Sequence, residues 1–295
     1  MSDAALAIEL YASSVVAARH CYGRMGEHVP PLDELDHVGE CIAHASDDPA
    51  LAIALALAPS ESDDASRAVQ SAFIAARVAH AASTSPDHRT AAVLAALYVD
   101  AGRARLASAS SLDLSVFSEL PDSLDHLAPA ATVAAAITGT RPTLRQWAAL
   151  TAFEVAWLER PRLGPLYRGE LAPRLMARVL VACRALLSRV APRTHDVGVS
   201  PFSALHALCT QPEADRVALG LLASAVGHLP VGTVVEVTGG HWAVVGPDVS
   251  PDPKRPRLRG LDGASLDAES PSIVRVIEPK SARFSVAFAL ANPAG

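Results

Sequence analysis

Imidazole, thiolate and carboxylate groups that share a helix face or adjoin in sequence can hold a metal ion, and three places in this chain of 295 residues invite that reading. His37, Cys41 and His44 fall at i, i+4 and i+7, so a helix through them puts all three on one face. That face could hold zinc, but no fourth ligand is evident, and polar side chains at the edge of a bundle helix are the plainer reading. His195 and Asp196 adjoin, yet they lie between Pro192 and Pro201 without an apolar run leading in, which marks a loop. Asp100 is the first acidic residue of the stretch Ala91 to Leu106, AAVLAALYVDAGRARL, after which the chain passes Gly102 into Arg103 and Arg105.

The elements that must carry these groups read as helices. Half of the residues are hydrophobic but only 4% are aromatic, so the core must be built largely from Ala, Val and Leu, a composition suited to close-packed alanine-rich helices. Apolar spacing predicts helices over about 3–25, 33–45, 49–58, 64–82, 91–106, 143–160, 171–190, 201–209 and 213–226, with loops and a short helix near 113–120 between 108 and 129. Beyond Gly227 the period changes from helical to two. Thr233, Val235 and Val237 alternate with Val234, Glu236 and Thr238, and Gly239-Gly240 is a hairpin signal. Residues 257–261 and 273–277 add two further strands, and the seven residues Pro251 to Arg257, with three prolines, mark a loop ahead of the first. The expected fold class is therefore mainly α, a helical bundle with a small C-terminal β appendage. Its expected divisions are N-terminal helices packing on the bundle (1–59), a main helical domain (60–228) and the appendage (229–295).

Composition also narrows the partners. A formal net charge of −6 with no long basic run argues against nucleic acid. Cys21, Cys41, Cys183 and Cys209 show no CxxC pairing and lie far apart, which fits a reduced intracellular setting. Asp3 and Glu9 without a basic lead do not read as a signal peptide, and the longest clean apolar run, Ala50 to Ala58, is too short for a bilayer. The expectation is a cytoplasmic protein with no membrane partner.

The 91–106 stretch resembles the metal-binding helix end of the HD phosphohydrolase superfamily, specifically its HD-GYP branch, where the apolar lead-in ends in His-Asp-x-Gly-Lys. Asp100, Gly102 and Arg103 keep their places, while Val99 stands at the His position. The resemblance covers roughly residues 60–262, and its second anchor is LPVGTVVEVTGGHWAVVGP, similar to the branch's closing Pro-x-Gly-Thr-x-Val segment. Between the anchors, WLER at 157–160 stands where the family has His-His-Glu-Arg, so Trp157 and Leu158 replace two ligands while Glu159 and Arg160 match. The following PRLGPLYRGE retains Gly164, Tyr167 and Gly169. Arg178, Val179 and Leu180 match a later lead, with Arg184 at the position of its closing Asp. Ala128 replaces a further His, with His126 two positions early, and the helix at 64–82 has no His until His80.

The resemblance implies a scaffold that once held two divalent metals, which polarise a phosphate and activate a bridging water. Of the implied ligands only Asp100 remains, and a valine has no lone pair to donate. Arg184 stays charged at any working pH and would repel cations from the position where it replaces a ligand. Because an ionised carboxylate in a helical core is costly unless paired, Asp100 is expected to meet Arg184, or failing that Arg103 or Arg178. The expected site is thus a vestigial pocket of Val99, Asp100, Arg103, Trp157, Leu158, Glu159 and Arg184, with no catalytic residue, metal or cofactor. Three functions follow: an inert HD-GYP-like signalling module working through a protein partner or self-association; a cyclic di-GMP receptor that does not cleave, with Arg103, Arg160 and Arg184 as phosphate contacts; and a divergent phosphodiesterase using His126 or His195.

Overall fold

The computed structural model describes residues 3–27, 30–45, 57, 63–108, 142–159, 165–191, 198–246, 256–261, 266 and 272–278. The expected segment 49–58 lies outside them except for Leu57, as do the loops at 109–141 with His126 and the His195-Asp196 pair. Among the described residues eight α-helices are followed by a four-stranded antiparallel sheet. The helices are α1 (Asp3–Gly23), α2 (Leu32–His44), α3 (Asp64–Ala81), α4 (Pro86–Ser108), α5 (Pro142–Leu158), α6 (Leu175–Val190), α7 (Pro201–Cys209) and α8 (Arg216–Val226). The strands are β1 (Val234–Val237), β2 (Trp242–Val245), β3 (Leu258–Gly260) and β4 (Ile273–Ile277).

Helix α4 is the centre. Every residue from Ala91 to Ala101 is buried, so this stretch has no solvent side, as an all-round apolar helix requires. It packs against α1, α2, α3 and α5. Ala18, Cys21 and Tyr22 of α1 and Leu35 and Ile42 of α2 join Val93, Leu97 and Tyr98 of α4 in one core. The N-terminal helices therefore share the central core. A second core lies between α3, α6, α7 and α8, with Ile74, Val78, Leu186, Leu205 and Leu222 at its heart.

Helix limits follow local chemistry. The helix expected from 171 begins at Leu175 because Pro173 disfavours helical geometry before it. The helix expected from 213 begins at Arg216, where the Asp215 side chain accepts from Ala218 N and sets the cap. Helix α4 starts earlier than apolar spacing predicts, at Pro86, since proline suits a first helical turn.

The sheet order is β3-β2-β1-β4. Alternation sends Val234 to one face with Val244 and Ile277, packed by Ala7 and Ile8 of α1, and Val235 and Val237 to the other with Ala243 and Val245. The turn between β1 and β2 has Gly239 and Gly240 at φ +95° and +77°, a backbone that glycine adopts without strain.

Candidate functional site

The buried middle of α4 ends at Asp100, fully inaccessible, and α6 presents Arg184 to it from the facing helix. The guanidinium Nη1 donates to Asp100 Oδ2 at 2.7 Å and Nη2 to Oδ1 at 3.2 Å. Its other edge donates to Glu159, just past the end of α5, with Nε to Oε1 at 2.6 Å and Nη2 to Oε2 at 3.2 Å. One planar cation is thus gripped by two carboxylates, the fork geometry that suits arginine and not lysine. Burial alone would lower the Arg184 pKa; the charges of Asp100 and Glu159 outweigh it, and the net direction is upward. Nearby, the Tyr22 hydroxyl donates to Leu97 O, and burial followed by the Asp100 charge pushes that phenol well above its ordinary range.

The other expected members of the site are placed unequally. Val99 is buried in the central core and Leu158 packs half-buried against it. Trp157 is half-buried, with its ring 5.9 Å from Phe153 on the same helix. Arg103 lies on α4 beyond the last residue whose side chain is described, and Arg160 and Gly164 lie outside the described residues. Arg178 is committed elsewhere, with Nε and Nη2 donating to Asp215 at 2.5 and 2.7 Å. The His37–Cys41–His44 face is solvated; Cys41 Sγ lies 3.8 Å from His37 Nε2, and His44 Nδ1 lies 2.7 Å from Glu40 O. Among the described residues no three His, Cys, Asp or Glu side chains are placed to hold a metal. The four cysteines are unpaired, and burial pushes the Cys183 thiol up to about 12.

Two buried ionic clusters were not legible as such. Asp36 of α2 accepts from the Tyr98 hydroxyl of α4 and from Arg145 Nε of α5, while Arg145 Nη2 donates to Asp33. Burial raises the Asp36 carboxyl above its usual range despite these donors. Glu154, almost wholly buried, accepts from the Tyr167 hydroxyl at 2.7 Å, Arg174 N at 2.7 Å and Arg174 Nη1 at 2.6 Å. It holds a short 3-10 turn, Leu166–Gly169, in which Tyr167 and Arg168 take φ of 52° and 57°. Charged residues on otherwise apolar helix faces were the available signal for both.

These features define a mainly α-helical protein with a small antiparallel sheet and a buried Asp100–Arg184 ion pair that reaches out to the more exposed Glu159. Compared with known protein families, with curated proteins and with solved structures, the chain matches none. Among the described residues no helix is long and apolar enough to cross a membrane.

Proposed function

We propose that this chain is a catalytically inert helical module, similar to the HD-GYP branch of HD phosphohydrolases, that acts in cytoplasmic signalling through a protein partner or a second copy of itself. The observation that carries the reading is the Arg184 guanidinium seated on both Asp100 and Glu159. Asp100 is the carboxylate that the resemblance marks as a metal ligand, and a fixed cation already satisfies both of its oxygens. A divalent ion could reach it only by displacing a buried ion pair, which leaves one charge uncompensated at a cost of roughly 3–5 kcal/mol. The same engagement weighs against Arg184 as a phosphate contact of a cyclic di-GMP receptor, because both of its edges lie on carboxylates. Contact function is supported by Leu171, Leu175 and Val217, exposed apolar side chains around the N-terminal ends of α6 and α8, which the Arg178–Asp215 pair draws together.

Elemental analysis of the purified protein, with assays on cyclic di-GMP, tests the inert site. Substoichiometric iron, manganese and zinc and no hydrolysis are expected; a stoichiometric metal with metal-dependent cleavage would overturn it. Contact function is read by sedimentation over a concentration series, in which Leu175→Asp or Val217→Asp abolishes association. A monomer at all concentrations, with no partner in a pull-down that these variants disrupt, removes that half of the proposal.

A further inference from the structure

A cavity lies at the opposite end of the buried helix. From Asp100 back to Asp87 is about 20 Å along the α4 axis at 1.5 Å per residue. There the C-terminal end of α2 and the first turns of α4 and α5 frame an open space of about 610 Å³. That volume is ordinary for a small-molecule site. Each helix gives it residues one turn apart: Glu40 and His44 from α2, Asp87 and Thr90 from α4, and Thr143 and Trp147 from α5. The frame is fixed before any ligand arrives, because Arg145, Asp36 and Tyr98 tie the same three helices together through buried hydrogen bonds.

The wall sets hydrogen-bond donors and acceptors side by side around one exposed aromatic ring. Asp87 is exposed, and an ionised carboxylate can only accept. Thr90 Oγ1 donates its proton to Pro86 O at 3.1 Å, which leaves its lone pairs for a ligand. The Thr143 hydroxyl can donate or accept, and the Trp147 indole N–H can only donate. His44 Nδ1 lies 2.7 Å from Glu40 O, which leaves Nε2, an acceptor in a neutral ring and a donor in a charged one. Trp147 is 43% exposed, and His88 stacks on one face of its ring, 5.1 Å away at 17°. Trp147 lines the cavity and His88 does not, so the indole gives the cavity its other face or its rim, and Leu144 extends that apolar surface.

A ligand for such a wall must donate and accept along its rim and carry an apolar face for the indole. A hydroxyl group does the first: it donates to Asp87 and Thr90, accepts from the indole N–H, exchanges with Thr143 and meets His44 in either protonation state. A sugar ring adds the second, because its hydroxyls lie round the edge while its C–H bonds form apolar faces that fit an aromatic ring. Among the described residues no lysine or arginine lines the cavity, so no cation of fixed charge answers a phosphate or a carboxylate. We propose that this cavity binds a neutral mono- or disaccharide, with the C–H face of one ring on Trp147 and its hydroxyls shared among Asp87, Thr90 and Thr143. The site shares no residue with the Arg184 cluster, so it stands or falls independently of the inert-module reading.

The test is NMR titration of the full chain with maltose, cellobiose, lactose and N-acetylglucosamine, with glycerol and adenosine as comparisons. The indole N–H signals of the three tryptophans report on the protein, and saturation transfer reports on the sugar. At least one saccharide should move the Trp147 signal saturably, with Kd of about 1 mM or tighter, and receive saturation through its C–H protons. Trp147→Ala assigns that signal by removing it, and should weaken the binding read on the sugar by about tenfold. Asp87→Ala should weaken it by about tenfold, the loss of one charge-assisted hydrogen bond, and Thr143→Val by about fivefold. All three side chains are exposed, and unchanged thermal midpoints confirm that the variants fold. No saturable shift from any of the four sugars up to about 20 mM overturns the proposal. So does undiminished affinity in Trp147→Ala, an equal shift from glycerol, or saturable binding of adenosine alone, which would mark a site for a stacked base.

Discussion

Arg184 decides the character of the bundle centre, because removing it strands a fully buried carboxylate. Arg184→Met should therefore lower unfolding free energy by about 3–5 kcal/mol in urea titrations. Asp100→Leu combined with Arg184→Met should recover most of that loss, since an apolar pair needs no compensation; a double variant no more stable than the single one would show that the cluster is not a closed unit. Asp215 provides the acid-sensitive counterpart. Hydrogen bonds from Arg178 and the α8 amides hold its carboxyl below the usual range, so its contribution is present above the unfolded value of about 3.9 and is lost as pH falls through the folded one. Asp215→Ala should cost about 1–2 kcal/mol at pH 7, with the difference from the parent shrinking below about pH 4 in a series of urea midpoints. The Asp100–Arg184 pairing was legible because a carboxylate in an apolar helix demands a cation. Asp36 was not: the segment LDELDHVGE offers several acids in succession, and apolar spacing does not say which one faces inward.

Among the elements, α2 and α4 meet most closely at Gly39. A β-carbon there would lie 2.5 Å from Leu94 Cδ2 and 3.4 Å from Leu97 Cδ1, and both leucines are buried with little room to retreat. Gly39→Val should destabilise by about 1–3 kcal/mol through overpacking, measured as a fall in thermal midpoint; an unchanged midpoint would mean that the two helices separate freely. Helices and strands were readable to this degree because their periods are local properties of the chain. Their ends were less so. Pro173 and the Asp215 cap moved two starts by a few residues, and the left-handed Tyr167-Arg168 pair depends on Glu154, a partner remote in sequence that no local pattern reveals.

At the scale of the whole molecule, contacts among the described residues fasten the sheet to the helices. Ala7 and Ile8 of α1 cover one of its faces, and Glu278, just past β4, accepts from Ser200 N at 2.8 Å and from the Ser200 and Ser203 hydroxyls at the start of α7. A carboxylate at a helix N-terminus is favourably placed, so Glu278→Ala should cost about 1–3 kcal/mol and raise amide exchange in β1 and β4 before it does so in α4. Uniform exchange across sheet and bundle would refute that order. The mainly helical class and the four strands were legible from composition and the change of period. Which residues of α1 and α2 meet α4 was not, because that depends on contacts between segments far apart in sequence. The enclosure of Ala91 to Ala101 on every side also bears on how this protein can diverge. A helix with a wet face can drift there at little cost, but this one has no neutral positions to spend. Over evolutionary time its neighbours can exchange surfaces while this eleven-residue string stays almost frozen, and distant cousins should be recognisable by it when little else of the chain still aligns.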